Sequence, residues 1–295
     1  MTLERAEAAA ALTCCAALYG HPLAELVLGD SLHPGGIRGT RELLRAADLR
    51  PGSRLLDAGC GLGASARLAA AEHGLRVDAV DASAGALARA ASGEASARIR
   101  WQRADVRELP FEDATFDAVL AECVLSTTDR RPALAEIHRV LRPGGRLLLS
   151  DVVADGPIDA FTAHPALGAA LCLTAAWRPG EPPGALAEAG FVIDRRWDRT
   201  PAILELVDRA EARLTFATLA FRDLQIDLPT LGASLPAEAG LNVAGADLTA
   251  STGRRVVRDL AEVVRSAVRD GTLGYIALVA TAIEVRRPNV GASGP

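Results

Sequence analysis

Two periods of apolar residues alternate along the first half of the chain. From about residue 53 to 155, short apolar runs of strand length are separated by stretches whose apolar residues recur at helical spacing. SRLLDAG (53–59), RVDAVDA (76–82), RIRWQRAD (98–105), TFDAVLAEC (115–123) and GRLLLSDV (145–152) predict five strands. ASARLAAAEHG (64–74) predicts a helix after the first strand, and RPALAEIHRVL (131–141) one before the fifth. That helix runs into Arg142-Pro143-Gly144-Gly145, which reads as a helix stop followed by a turn. Strands separated by helices predict βαβ units on a parallel sheet.

Past residue 155 the pattern loosens. GALAEAGFVIDRRWD (184–198) predicts a helix and then a strand, and TLGYIALVATAI (272–283) is the clearest late strand. Between them lie a helix over 201–222, a Pro- and Gly-bearing loop near 228–250 and a second helix over 252–270. The closing RRPNVGASGP carries no periodic signal and predicts a frayed tail.

Composition narrows the classes of function. With 295 residues and 49% hydrophobic content the chain can bury a substantial core. A net charge of -5, with every basic residue an arginine or histidine, offers no basic surface for phosphate backbones, so nucleic acid is not an expected partner. The opening MTLERAEAAAALTCCAALYG carries Glu4, Arg5 and Glu7 ahead of a short apolar stretch, too short and too acidic for a signal peptide or membrane span. A cytoplasmic protein with no membrane contact is expected. Five cysteines without regular spacing argue for reduced thiols over a disulfide framework, and no Cys/His spacing typical of zinc occurs.

The chemistry-bearing residues gather at predicted strand ends. The first strand delivers Asp57-Ala58-Gly59-Cys60-Gly61-Leu62-Gly63 into a helix, a turn where glycines let backbone approach a ligand and where a helix N-terminus offers unpaired N–H groups. Asp81 ends the second strand, where a carboxylate can accept both hydroxyls of a ribose. Asp105 follows the third, placed to meet an adenine amino group. AECVLS (121–126) ends the fourth strand with Glu122 and Cys123 side by side.

The set DAGCGLG, VDAS, ADVRELPFEDATFDAVLAECV and HRVLRPGGRLLLSDV resembles the class I S-adenosylmethionine-dependent methyltransferases over roughly residues 30–155. The resemblance implies an α/β, Rossmann-like sheet of seven strands in the order 3-2-1-4-5-7-6, the last strand antiparallel. It also implies N-terminal helices and a helical insertion between strands six and seven. Residues 1–50 would form an N-terminal helical lid, 51–199 with 272–286 the cofactor-binding core, 200–271 an insertion packed on that core, and 287–295 a flexible tail. S-adenosylmethionine would be held by Asp57, Gly59, Cys60, Gly61, Gly63, Asp81, Ala82, Asp105, Val106 and Glu122. A dinucleotide-dependent oxidoreductase fits less well, because Ala64 to Ala66 supply no third glycine in the GxGxxG register.

Cysteine placement carries a finer resemblance. Cys123 at the end of strand four, and Cys172-Leu173-Thr174-Ala175 after Ser150-Asp151-Val152, resemble the arsenite methyltransferases. This implies trivalent arsenic as the acceptor, a small soft centre that prefers thiolates. Cys123 and Cys172 would be ligands, and Cys14 or Cys15 a third. The other reading of the same residues is methylation of an oxygen, nitrogen or carbon on a small metabolite, with His33 in LGDSLHPGGIRGT (28–40) as general base and Glu122 orienting the substrate or the cofactor's amino end. A third is a cofactor-binding partner or sensor protein without turnover. Oligomeric state is not legible in the sequence.

Overall fold

The computed structural model describes residues 29, 31, 33–93, 96–156, 172, 173, 175–223 and 250–284. In chain order these form α1 (Gly36–Ala47), β1 (Arg54–Ala58), α2 (Ala64–His73), β2 (Arg76–Asp81), α3 (Ala84–Ser92), β3 (Ile99–Arg103) and β4 (Phe116–Glu122). They continue with α4 (Arg130–Val140), β5 (Leu141–Ala154), α5 (Glu181–Glu188), β6 (Phe191–Asp198), α6 (Pro201–Asp223), α7 (Ala250–Arg269) and β7 (Leu273–Ala282). The seven strands make one sheet in the order β3-β2-β1-β4-β5-β7-β6, and β7 runs antiparallel to both its neighbours. The sheet order expected from the resemblance is therefore the one observed. Cys14 and Cys15 lie outside the described residues, as does most of the proposed N-terminal lid.

The central strands are buried on both faces, which is why their sequences are nearly continuous apolar runs. Side chains alternate along a strand. Leu55, Leu120 and Leu148 accordingly pack toward α1 and α2, and Leu56, Val119, Leu147 and Leu149 toward α4. Edge strand β6 alternates instead and leaves Val192 half exposed. Local chemistry sets the helix starts. Ser83 Oγ accepts from the Ala86 N–H at 3.2 Å to cap α3, and the Asp129 carboxylate accepts from the Arg131 N–H at 3.3 Å to cap α4.

One sequence expectation needs correction. Arg142-Pro143-Gly144-Gly145 does not separate helix from strand. Strand β5 begins at Leu141, which pairs with Phe116, and pairing resumes at Arg146 with Ala118. The four intervening residues bulge out opposite Asp117, with Gly144 at a φ of 75°. In the segment that carries His33, His33-Pro34-Gly35 lead by a turn into α1, which begins at Gly36.

Candidate active site

The carboxyl ends of β1, β2 and β4 open onto a cleft of about 180 Å3. Its wall includes His33, Asp57, Gly59, Cys60, Gly61, Asp81, Ala82, Asp105, Val106, Glu122, Cys123 and Cys172, so the fold brings the candidate residues of the described part together. Gly63 is the exception: it is the N-cap of α2 and does not line the cleft.

The glycine turn is built on backbone geometry. Gly59 and Cys60 both donate their N–H to Val80 O, at 2.8 and 2.9 Å, pinning the turn to the end of β2. Gly59 has a φ of 74°, and a Cβ there would sit 2.5 Å from Val124 Cγ2. Only glycine fits both demands. Gly61, at a φ of 52°, donates its N–H to Asp81 Oδ2 at 2.9 Å, and Ser83 donates its N–H to Asp81 Oδ1 at 2.8 Å.

The cleft is acidic. Asp57 is fully enclosed, and burial followed by the neighbouring Glu122 and Asp81 charges holds its carboxyl well above the usual range. Its Oδ2 has no hydrogen-bond partner among the described residues. Burial likewise raises Asp81, opposed by the Ser83 and Gly61 N–H groups. Asp105 is paired: its two oxygens receive Arg107, with Nη2 at 2.6 Å, and that pairing holds it below the usual range.

Glu122 is held by residues that sequence reasoning missed. Thr40 Oγ1 donates to it from 3.0 Å, and Ser65 Oγ donates to Oε2 at 2.6 Å. His33 Nδ1 is 3.0 Å from Pro34 O; a carbonyl only accepts, so Nδ1 carries a hydrogen. The other nitrogen, Nε2, faces Glu122 Oε2 at 3.3 Å, close enough for an ion pair but not aligned as a hydrogen bond. The ring that was the expected base is thus turned onto a carboxylate.

Beside Glu122 the two thiols meet. Cys123 and Cys172 are in side-chain hydrogen-bond contact, and that contact, ahead of burial, pushes the Cys123 thiol well up. Both residues adopt left-handed backbone, with φ of 55° and 59°, where a non-glycine residue is uncommon. Cys123 Sγ also donates to Tyr275 Oη at 3.7 Å, and that hydroxyl donates to Ser150 Oγ at 2.9 Å. The Cys60 thiol is also pushed up, by burial and then by the Asp57 and Asp81 charges. Among the described residues no group of three or more His, Cys, Asp and Glu side chains is placed to hold a metal ion.

Residues 56–149 match the family described as a methyltransferase domain. Methyltransferase GfsG of Streptomyces halstedii is 36% identical over 44% of this chain and 49% of its own length. O-methyltransferase resE of Aspergillus sclerotiorum is 39% identical over 40% of this chain and 47% of its own length. The chain thus spans about half the length of the curated relatives it matches. Phosphoethanolamine N-methyltransferase 2 of Haemonchus contortus, solved with phosphomonomethylethanolamine and S-adenosylhomocysteine, superposes with a TM-score of 0.67 at 22% identity over 88% of this chain and 56% of that one. The fold is that of the class I methyltransferases.

The cleft of this methyltransferase fold suits the donor implied by the sequence. S-adenosylmethionine is a zwitterion with an added sulfonium charge, and three buried or half-buried carboxyls, Asp57, Asp81 and Glu122, face it without a paired arginine. The orphan Asp57 Oδ2 lacks a donor that an ammonium group supplies. No helix among the described residues is long and apolar enough to cross a membrane.

Proposed function

We propose that the protein is an S-adenosylmethionine-dependent methyltransferase for a small acceptor, and that the acceptor is trivalent arsenic, as arsenite or a thiol-bound arsenical, held by Cys123 and Cys172. The observation that carries the reading is the contact between the two thiols in the wall of the acidic cleft. S-adenosylmethionine, when bound, supplies an electrophilic methyl carbon. Gly59, Gly61, Asp81 and Asp57 would hold it, with Ala82, Asp105 and Val106 at the adenosine end. Glu122, fixed by Thr40 and Ser65, would set its amino end.

The thiols do the rest. Each forms an As–S bond while an As–O bond breaks, and the thiol proton leaves on the departing hydroxide as water. The raised pKa of Cys123 is then no obstacle, because its proton goes to the leaving group. Two sulfur ligands leave the arsenic lone pair free, so no protein base is required. Residues 51–199 with 272–286 would form the donor-binding core under this reading, and 200–271 would cover it.

A second reading, an oxygen or nitrogen on an organic metabolite, is favoured by the names of the relatives, an O-methyltransferase and a phosphoethanolamine N-methyltransferase among them. Transfer of label from S-adenosylmethionine to arsenite, a thiol and a phenol separates the two. The arsenic reading expects turnover of arsenite that Cys123→Ser and Cys172→Ser each abolish while donor affinity is kept. Serine variants that stay active on an organic acceptor, with His33→Ala the damaging change, would establish the second. Donor binding with no turnover of any acceptor would mark a sensor or partner protein.

A further inference from the structure

A second and larger cavity, about 420 Å3, lies between α1 and the β5-β7-β6 part of the sheet. Register builds its floor. Glu122 pairs with Ser150, Ser150 with Ala277, and Ala277 with Trp197, so these four side chains form one row across four strands on the same face. Ser150 and Ala277 are small, and their size opens the groove. It runs from edge strand β6 to Glu122, which lines the donor cleft as well.

The walls are basic. On α1, Arg38, Glu42 and Arg45 recur at helical spacing along one stripe, and Arg195 and Trp197 share one face of β6, with Arg199 just past its end also lining the groove. Glu42 is taken by Arg199. Arg38 reaches Glu205 at 3.5 Å in a pair exposed on both sides, which water screens and a ligand can displace at little cost. Arg45 and Arg195 form no ion pair among the described residues. The Arg195 guanidinium lies 5.4 Å above the Trp197 ring, which steadies it over the groove. In a chain of net charge -5, four arginines on one groove are a local reversal of sign, opposite to the acidic donor cleft.

We propose that this groove binds a small organic anion, a phosphate ester or a carboxylate, whose charged group is received by Arg45 and Arg195 and whose body lies along Trp197, Ala277 and Ser150 toward Glu122. Guanidinium forks match both oxyanions in two-point hydrogen bonding, and the volume suits a metabolite-sized molecule. The site stands on the groove's own geometry. Only the statement that the groove ends beside a donor site, through the shared Glu122, rests on the methyltransferase reading, and the anion bound there is distinct from the acceptor held by the thiols.

Calorimetry on the full chain tests it, with phenyl phosphate and benzoate as probes and S-adenosylhomocysteine titrated separately. The wild-type protein should bind at least one probe, and the double variant Arg45→Gln, Arg195→Gln, altered at exposed positions, should lose at least about tenfold in affinity while keeping its S-adenosylhomocysteine binding. Tighter phenyl phosphate would assign a phosphate ester, and tighter benzoate a carboxylate. No binding of either probe, or equal binding by wild type and variant, overturns the proposal. A wild-type protein that binds a probe but not S-adenosylhomocysteine would sink the methyltransferase reading and leave the anion site standing.

Discussion

The backbone N–H of Gly61 donates to the Asp81 carboxylate at 2.9 Å, so the acid at the end of β2 and the glycine turn after β1 hold one another. Asp81 thereby has two tasks, shaping the turn and presenting an acceptor to the cleft. Asp81→Ala removes both. Binding of S-adenosylmethionine should weaken by roughly 1–3 kcal/mol, the usual cost of leaving polar partners unmet. Calorimetry giving wild-type affinity for this variant would remove Asp81 from the donor site.

Gly59 tests the turn from the other side. An alanine there must adopt a φ of 74°, costing about 1–2 kcal/mol, and must also displace Val124, at a further cost of about 1–3 kcal/mol. Gly59→Ala should lower the melting temperature and abolish donor binding. Adding Val124→Ala should recover the steric part and leave the backbone part, so a double variant no better than the single one would show that Val124 is not the obstacle.

Much of this was legible in the sequence, for local reasons. Glycines and acids at strand ends report backbone demands set within a few residues, and the strand order was implied by the family resemblance those motifs carry. What escaped reading depends on tertiary placement. Thr40 and Ser65 are 82 and 57 residues from the Glu122 they hold, and neither sits in a motif. The Trp197, Ala277, Ser150 and Glu122 row exists only through the register of four strands. Arg142-Pro143-Gly144-Gly145 has the composition of a turn, and pairing of Leu141 with Phe116 converts it into a bulge inside β5.

Asp57 predicts a proton inventory for donor binding. Its carboxyl is held up by burial and by the Glu122 and Asp81 charges. A cationic ligand favours the ionised form, so binding should lower this pKa and release protons. Titrations of S-adenosylmethionine at neutral pH in buffers of different ionisation enthalpy should give buffer-dependent heats, and Asp57→Asn should remove that dependence. Identical heats in every buffer for the wild-type protein would contradict the assignment.

Asp151 gives the protein a pH-dependent stability of opposite sense to a surface ion pair. It is fully buried in β5 and accepts from the Ser126 N–H at 2.9 Å, the Val152 N–H at 2.9 Å and Trp177 Nε1 at 3.2 Å. Burial outweighs these donors and pushes its pKa up to about 6. In an unfolded chain an aspartate titrates near 3.9, so the folded state binds the proton more tightly than the unfolded one. The stabilisation is therefore complete below about pH 4 and is lost as pH rises through about 6, a span worth on the order of 3 kcal/mol at 1.36 kcal/mol per unit. Carboxyls held low by arginines, such as Asp105 and Glu136, act in the opposite sense and mainly below that window. Urea unfolding at pH 7 and pH 5 should show the wild-type protein gaining stability on acidification relative to Asp151→Asn. The variant should be the less stable of the two at both values, because an amide nitrogen turned toward the Val152 N–H leaves a donor unmet. Equal responses of the two proteins to acidification would show that Asp151 keeps its ordinary titration in the fold.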